Sequence, residues 1–86
     1  MFEAVQFTER AGAFEPVETI LGEFPDEASA VETARKARQA FVESGSQSYA
    51  WWIVRRKGAR LAEFIADSKT DKEFVLDLTS GQLVEV

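Results

Sequence analysis

The stretch Tyr49-Ala50-Trp51-Trp52-Ile53-Val54-Arg55-Arg56 decides the fold. Aromatic and β-branched residues dominate it, and such a run favours a strand. Successive side chains of a strand point to opposite faces. Tyr49, Trp51 and Ile53 therefore share one side, and Ala50, Trp52 and Val54 the other. Both sides are apolar and each carries a tryptophan, as expected of a strand covered on both faces. The next segment, Leu61 to Ala66, repeats the pattern, with Leu61 and Ile65 opposite Ala62, Phe64 and Ala66.

Working outward, Lys72 to Leu78 and Gln82 to Val86 read as two further strands. Lys57-Gly58 and Ser80-Gly81 read as hairpin turns, the second of the two-residue kind. Upstream, Asp26 to Glu43 carries Val31, Ala34, Ala37 or Arg38, and Phe41 at helical spacing, with Ala30 and Ala40 widening the stripe. Pro25 suits the first helical turn, and Ser29 with Glu32 offers an alternative capping box. Ser44-Gly45 supplies the stop. Phe2 to Thr8 and Val17 to Phe24 read as strands, with Pro16 marking an edge or a strand start. Between them Glu9 to Ala13 reads as a turn.

The expectation is one small α+β domain over residues 1–86, of order β-β-α-β-β-β-β. A single antiparallel sheet, curved into a roll, is packed by one helix. That helix is about 27 Å long and covers only one sheet face. The other face needs a cover of its own: the curl of the sheet, a second copy, or a foreign partner.

The 86 residues include no Cys and no His. Thiolate and imidazole nucleophiles, structural zinc, haem and iron–sulfur clusters are excluded with them. No phosphate-binding glycine loop and no Gly-x-Ser-x-Gly occurs. A thin core rarely encloses the roughly 300 Å³ that ligand sites occupy. The expectation is a non-catalytic chain without cofactor or metal. Asp67-Ser68-Lys69-Thr70-Asp71 superficially resembles a calcium loop, but Lys69 falls at a ligand place, Lys72 where glycine is needed and Leu78 where glutamate is needed. With Glu73 and Asp77, these acids read as a turn and a solvated strand face.

Ten Lys and Arg against fifteen Asp and Glu give a net charge of -5. Binding to bulk nucleic acid draws its affinity from neutralised phosphates, so this balance argues against it. The charge is lopsided. Glu3, Glu9, Glu15, Glu18, Glu23, Asp26, Glu27 and Glu32 face only Arg10 in residues 1–34. The bases gather at Arg35-Lys36-Ala37-Arg38 and at Arg55 to Arg60.

Four constellations follow. Tyr49, Trp51, Trp52 and Ile53 are the candidate protein-binding residues, or else plain core. Arg55, Arg56, Lys57 and Arg60 form a cationic hairpin that could meet a phosphate, a nucleic acid or an acidic protein, or else a solvated tip paired with acids such as Glu63. Arg35, Lys36 and Arg38 read as an ordinary solvated helix face. Glu15, Glu18 and Glu23 could present carboxylates to a basic partner.

The main expectation is an interaction module, working as a homodimer or as a subunit or inhibitor of another protein through an apolar sheet face. The alternative is anion binding at the hairpin. No apolar run reaches membrane-span or signal-peptide length, which with the absence of cysteine suggests the cytoplasm.

Overall fold

Among the described residues six strands form one antiparallel sheet, and a helix crosses one of its faces. The computed structural model describes residues 1–10, 12 and 14–86. The elements are β1 (Phe2–Thr8), β2 (Val17–Phe24), α1 (Glu27–Glu43), β3 (Ala50–Arg56), β4 (Ala62–Asp67), β5 (Glu73–Asp77) and β6 (Gln82–Glu85). The α+β class and the element order are those expected. Of the turn expected at Glu9 to Ala13, Ala11 and Ala13 lie outside the described residues.

The sheet order is β2-β1-β3-β4-β5-β6, so among the described residues β2 and β6 are free edges and no barrel closes. β1 pairs antiparallel with both β2 and β3, which makes β2 and β3 parallel to each other. The connection between them must cross β1, and α1 makes that crossing. The helix consequently packs on β1, β2, β3 and β4.

Alternation then sorts the core. Ala4 opposes Val54, Gln6 opposes Trp52, and Trp52 and Val54 oppose Ala66 and Phe64. These positions lie under Ala30 and Ala34 of α1, with Val31, Ala37 and Phe41 packed around them. Small residues at Ala4, Ala30, Ala34, Ala50 and Ala66 let the helix come close, while Trp52 and Phe64 fill the space left. Trp52 is wholly buried; its Nε1 donates to Gln6 Oε1 at 2.9 Å and Phe41 meets it edge-on.

Asp26 caps the helix, accepting from the Ser29 amide at 2.7 Å and from its hydroxyl at 3.1 Å. These bonds hold its carboxyl below the usual range. The cap falls three residues before Ser29, so the Ser29–Glu32 box is not used and Pro25 precedes the helix. Two arginines tie the other flank of α1 to the sheet. Arg35 forms a two-pronged pair with Glu73, at 2.7 and 2.8 Å. Arg38 donates to the carbonyls of Asp67 and Thr70 and to the Asp71 carboxylate.

Three local readings change. The β5–β6 connection is the four residues Leu78 to Gly81, because Asp77 accepts from the Thr79 amide and tightens the turn, leaving Gly81 at φ 72°. The register slips between Val54 and Arg55, so Ala62 pairs with Arg55 and leaves the face of Phe64 and Ala66. Leu61, expected to share a face with Ile65, lies before β4 and is exposed. Among the described residues no helix is long and apolar enough to cross a membrane.

Candidate functional site

The face away from α1 is built by the residues that alternate with the core. Its central row runs Ile20, Val5, Ile53, Ile65, Phe74 and Glu85 from β2 to β6. On one side lies the row Glu18, Phe7, Trp51 and Asp67. On the other lie Glu23, Glu3 and Arg55, with Leu76 beside Leu83 at the far edge. An apolar band thus crosses five strands, with no helix over it among the described residues.

Of the four candidate partner residues, Tyr49, Trp51 and Ile53 belong to this open side and are part-exposed. Trp52 does not. One position along the strand, it points beneath α1 and is core, a correction set by the side of the sheet on which α1 crosses. Phe7 stacks on Trp51 with centroids 5.3 Å apart and planes 11° from parallel. Tyr49 leans on Trp51 at 5.6 Å and donates to Asp67 Oδ2 at 3.3 Å. Partial burial, and then the Asp67 charge, push the Tyr49 phenol up. Asp67 is itself pushed up by burial, but hydrogen bonds from Thr70, from the Lys69 amide and from Tyr49 outweigh this and lower it.

Three of the hairpin cations are held by carboxylates, from β1 and β2 for Arg55 and Lys57 and from the neighbouring β4 for Arg56. Arg55 sits 3.4 Å from Glu3 on β1 and 3.5 Å from Glu18 on β2. Since β1 lies between β2 and β3, the contact to Glu18 passes over the open side of β1. Val5, wholly buried without any helix above it, lies in the row this contact crosses. Arg56 reaches Glu63 at 3.1 Å and lies over the Phe2 ring, and Lys57 reaches Glu23 at 2.9 Å. Arg60 makes no ion pair among the described residues. Trp51 lies four positions along β3 from Arg55, about 13 Å at strand rise, so aromatic cluster and cationic tip occupy opposite ends of the strand.

The other charged groups serve the fold. Arg35 and Arg38 clamp α1, and Lys36 pairs with Glu32 at 3.1 Å. Glu18 and Glu23, two of the three acids read as a lure for a basic partner, contact Arg55 and Lys57, whereas Glu15 stays exposed. Glu63, read from the sequence as an acid that could pair with the hairpin cations, does pair with one of them. Its Oε1 meets Arg56, while its Oε2 is buried with no hydrogen-bond partner among the described residues. A shallow concavity of about 490 Å³, larger than expected of so thin a core, is lined by Glu9, Arg10, Gln47, Ser48, Tyr49 and Lys69. Its charges are mixed.

Comparison with protein-family models, curated proteins and solved structures gives no match to this chain.

Proposed function

We propose that this chain is a non-catalytic protein-interaction module that docks through its open sheet face as a subunit or inhibitor of another protein. One observation carries the reading: an apolar band, Ile20, Ile53, Ile65 and Phe74 with Trp51 and Phe7 beside it, runs across the sheet opposite the helix. Contiguous apolar surface of this kind, rimmed by charge, is characteristic of interaction sites. The homodimer form of the reading has less support, because carboxylates dominate the margins of the face. The anion-binding alternative also has less support, because three of the four hairpin cations already contact carboxylates.

The test compares tagged wild-type chain with an Ile20→Lys, Leu83→Lys variant, both isolated under native conditions. Both positions are substantially exposed, at 52% and 40%, so the variant keeps the core intact. A companion of fixed stoichiometry that is present with the wild type and lost with the variant supports the reading. Identical companions with both contradict it.

A further inference from the structure

We infer that the occupant of the open face is an amphipathic helix of another protein, with an apolar stripe flanked by lysine and arginine. This inference rests on the docking reading above and narrows it to one partner chemistry.

Size is the first argument. The central row from Ile20 to Phe74 spans five strands, about 19 Å at a strand spacing near 4.8 Å, and the flanking rows widen the patch to about 14 Å. A stable interface between globular chains buries about 800 Å² on each partner, roughly three times that footprint. A single helix is about 10 Å across and spans 19 Å in about thirteen residues, which the patch does accommodate.

Charge is the second. On the open side Glu3, Glu18, Glu23, Asp67 and Glu85 stand against Arg55, which contacts Glu3 and Glu18, and Lys57, which contacts Glu23, so the margin stays net acidic. A second copy docked face to face about a two-fold axis sets each acidic margin on itself or on the other acidic margin. Like charges so juxtaposed oppose association. A basic rim reverses the sign of every such contact.

The third is the molecule's own solution on its covered face. There α1 lays Ala30, Ala34 and Phe41 on the apolar floor while Arg35 and Arg38 reach Glu73 and Asp71 at the margin. The open face presents the same two elements, an apolar floor and a carboxylate margin.

The test is an amide-shift titration of the isotopically labelled full chain with three synthetic peptides of about eighteen residues, the length of a 27 Å helix. One has a leucine stripe flanked by lysine and arginine, one the same stripe flanked by glutamate, and one serine in place of leucine between the cationic flanks. The first should saturate and shift the amides of Ile20, Ile53, Ile65 and Phe74 while leaving those of α1 in place. The other two should bind at least about tenfold more weakly, as loss of charge or apolar complementarity demands. Ile20→Lys and Leu83→Lys, each checked for an unchanged melting temperature, should weaken the first peptide by a similar factor.

Equal binding of the serine peptide, shifts confined to the hairpin or α1, or no saturation overturns the inference. So does a free chain that is already a dimer through Ile53 and Ile65, a result that overturns the docking reading with it. Absence of any peptide response, together with identical companions for wild type and Ile20→Lys, Leu83→Lys in the isolation experiment, overturns both.

Discussion

Trp51 stacks on Phe7 across the β1–β3 boundary, nearly parallel at 5.3 Å, on the face that α1 does not cover. Trp52, its neighbour in sequence, lies on the other face with no exposed surface. The two tryptophans therefore separate stability from docking. Trp52→Ala should cost about 3–5 kcal/mol, as truncation of a buried tryptophan does. Trp51→Ala should cost no more than about 1–2 kcal/mol, since an aromatic pair adds roughly 0.5–1.5 kcal/mol to partial burial. Urea denaturation of the two variants measures both. Equal costs would refute the division of faces.

Arg55 should matter to the fold more than to any anion. Its removal leaves Glu3, whose side chain is only 9% exposed, without its cation, and uncovers Val5. Leaving a buried polar group unpaired costs about 1–3 kcal/mol and a buried charge more, so Arg55→Ala should lose at least that much in a chemical melt. Lys57→Ala, at a solvated pair, should leave the midpoint unchanged.

The two arginines of α1 should differ. Arg38 is mostly buried and donates to two carbonyls, so Arg38→Ala should cost about 1–3 kcal/mol and speed hydrogen exchange at the Lys69 and Thr70 amides. Arg35 is half exposed, so solvent screens its pair with Glu73, and Arg35→Ala should cost less than about 1 kcal/mol.

Acid should weaken the fold through three aspartates. Asp26, Asp67 and Asp77 all hold their protons less tightly when folded than ordinary aspartate does. The unfolded chain then takes up protons first, so stability is full above the ordinary aspartate range near pH 4 and falls as pH drops through the folded values. At the alkaline end the sign is reversed. Tyr49, the only tyrosine, has a raised pKa, so its contribution is full below about pH 10 and is lost above it. Thermal melts across pH check both limbs, and ultraviolet titration of Tyr49 checks the second.

Much of this architecture is legible in β3 alone. Alternation divides Trp51 from Trp52, and the helical stripe from Val31 to Phe41 supplies cover for one face only. Which tryptophan is covered is not legible, because the answer depends on α1 crossing β1 between two parallel strands. The pairing of Arg55 with Glu3 and Glu18 is equally hidden. Those residues are adjacent only after the sheet order is set, and no local pattern announces a partner 52 positions away in Glu3 or a second one in Glu18. The four-residue turn before β6 was masked by Ser80-Gly81, whose turn chemistry fits two loop lengths; the Asp77 carboxylate selects the longer.

The account turns on one face of the sheet being open in the isolated chain. The most direct measurement labels the wild-type protein with fluorotryptophan and records its fluorine spectrum with a soluble paramagnetic agent, across a tenfold concentration range. Two signals are expected, assigned through Trp51→Phe. The account predicts that the Trp51 signal broadens with the agent at every concentration while the Trp52 signal stays sharp. Equal shielding of both tryptophans, or a Trp51 signal that becomes shielded as concentration rises, would show the face already covered and contradict it.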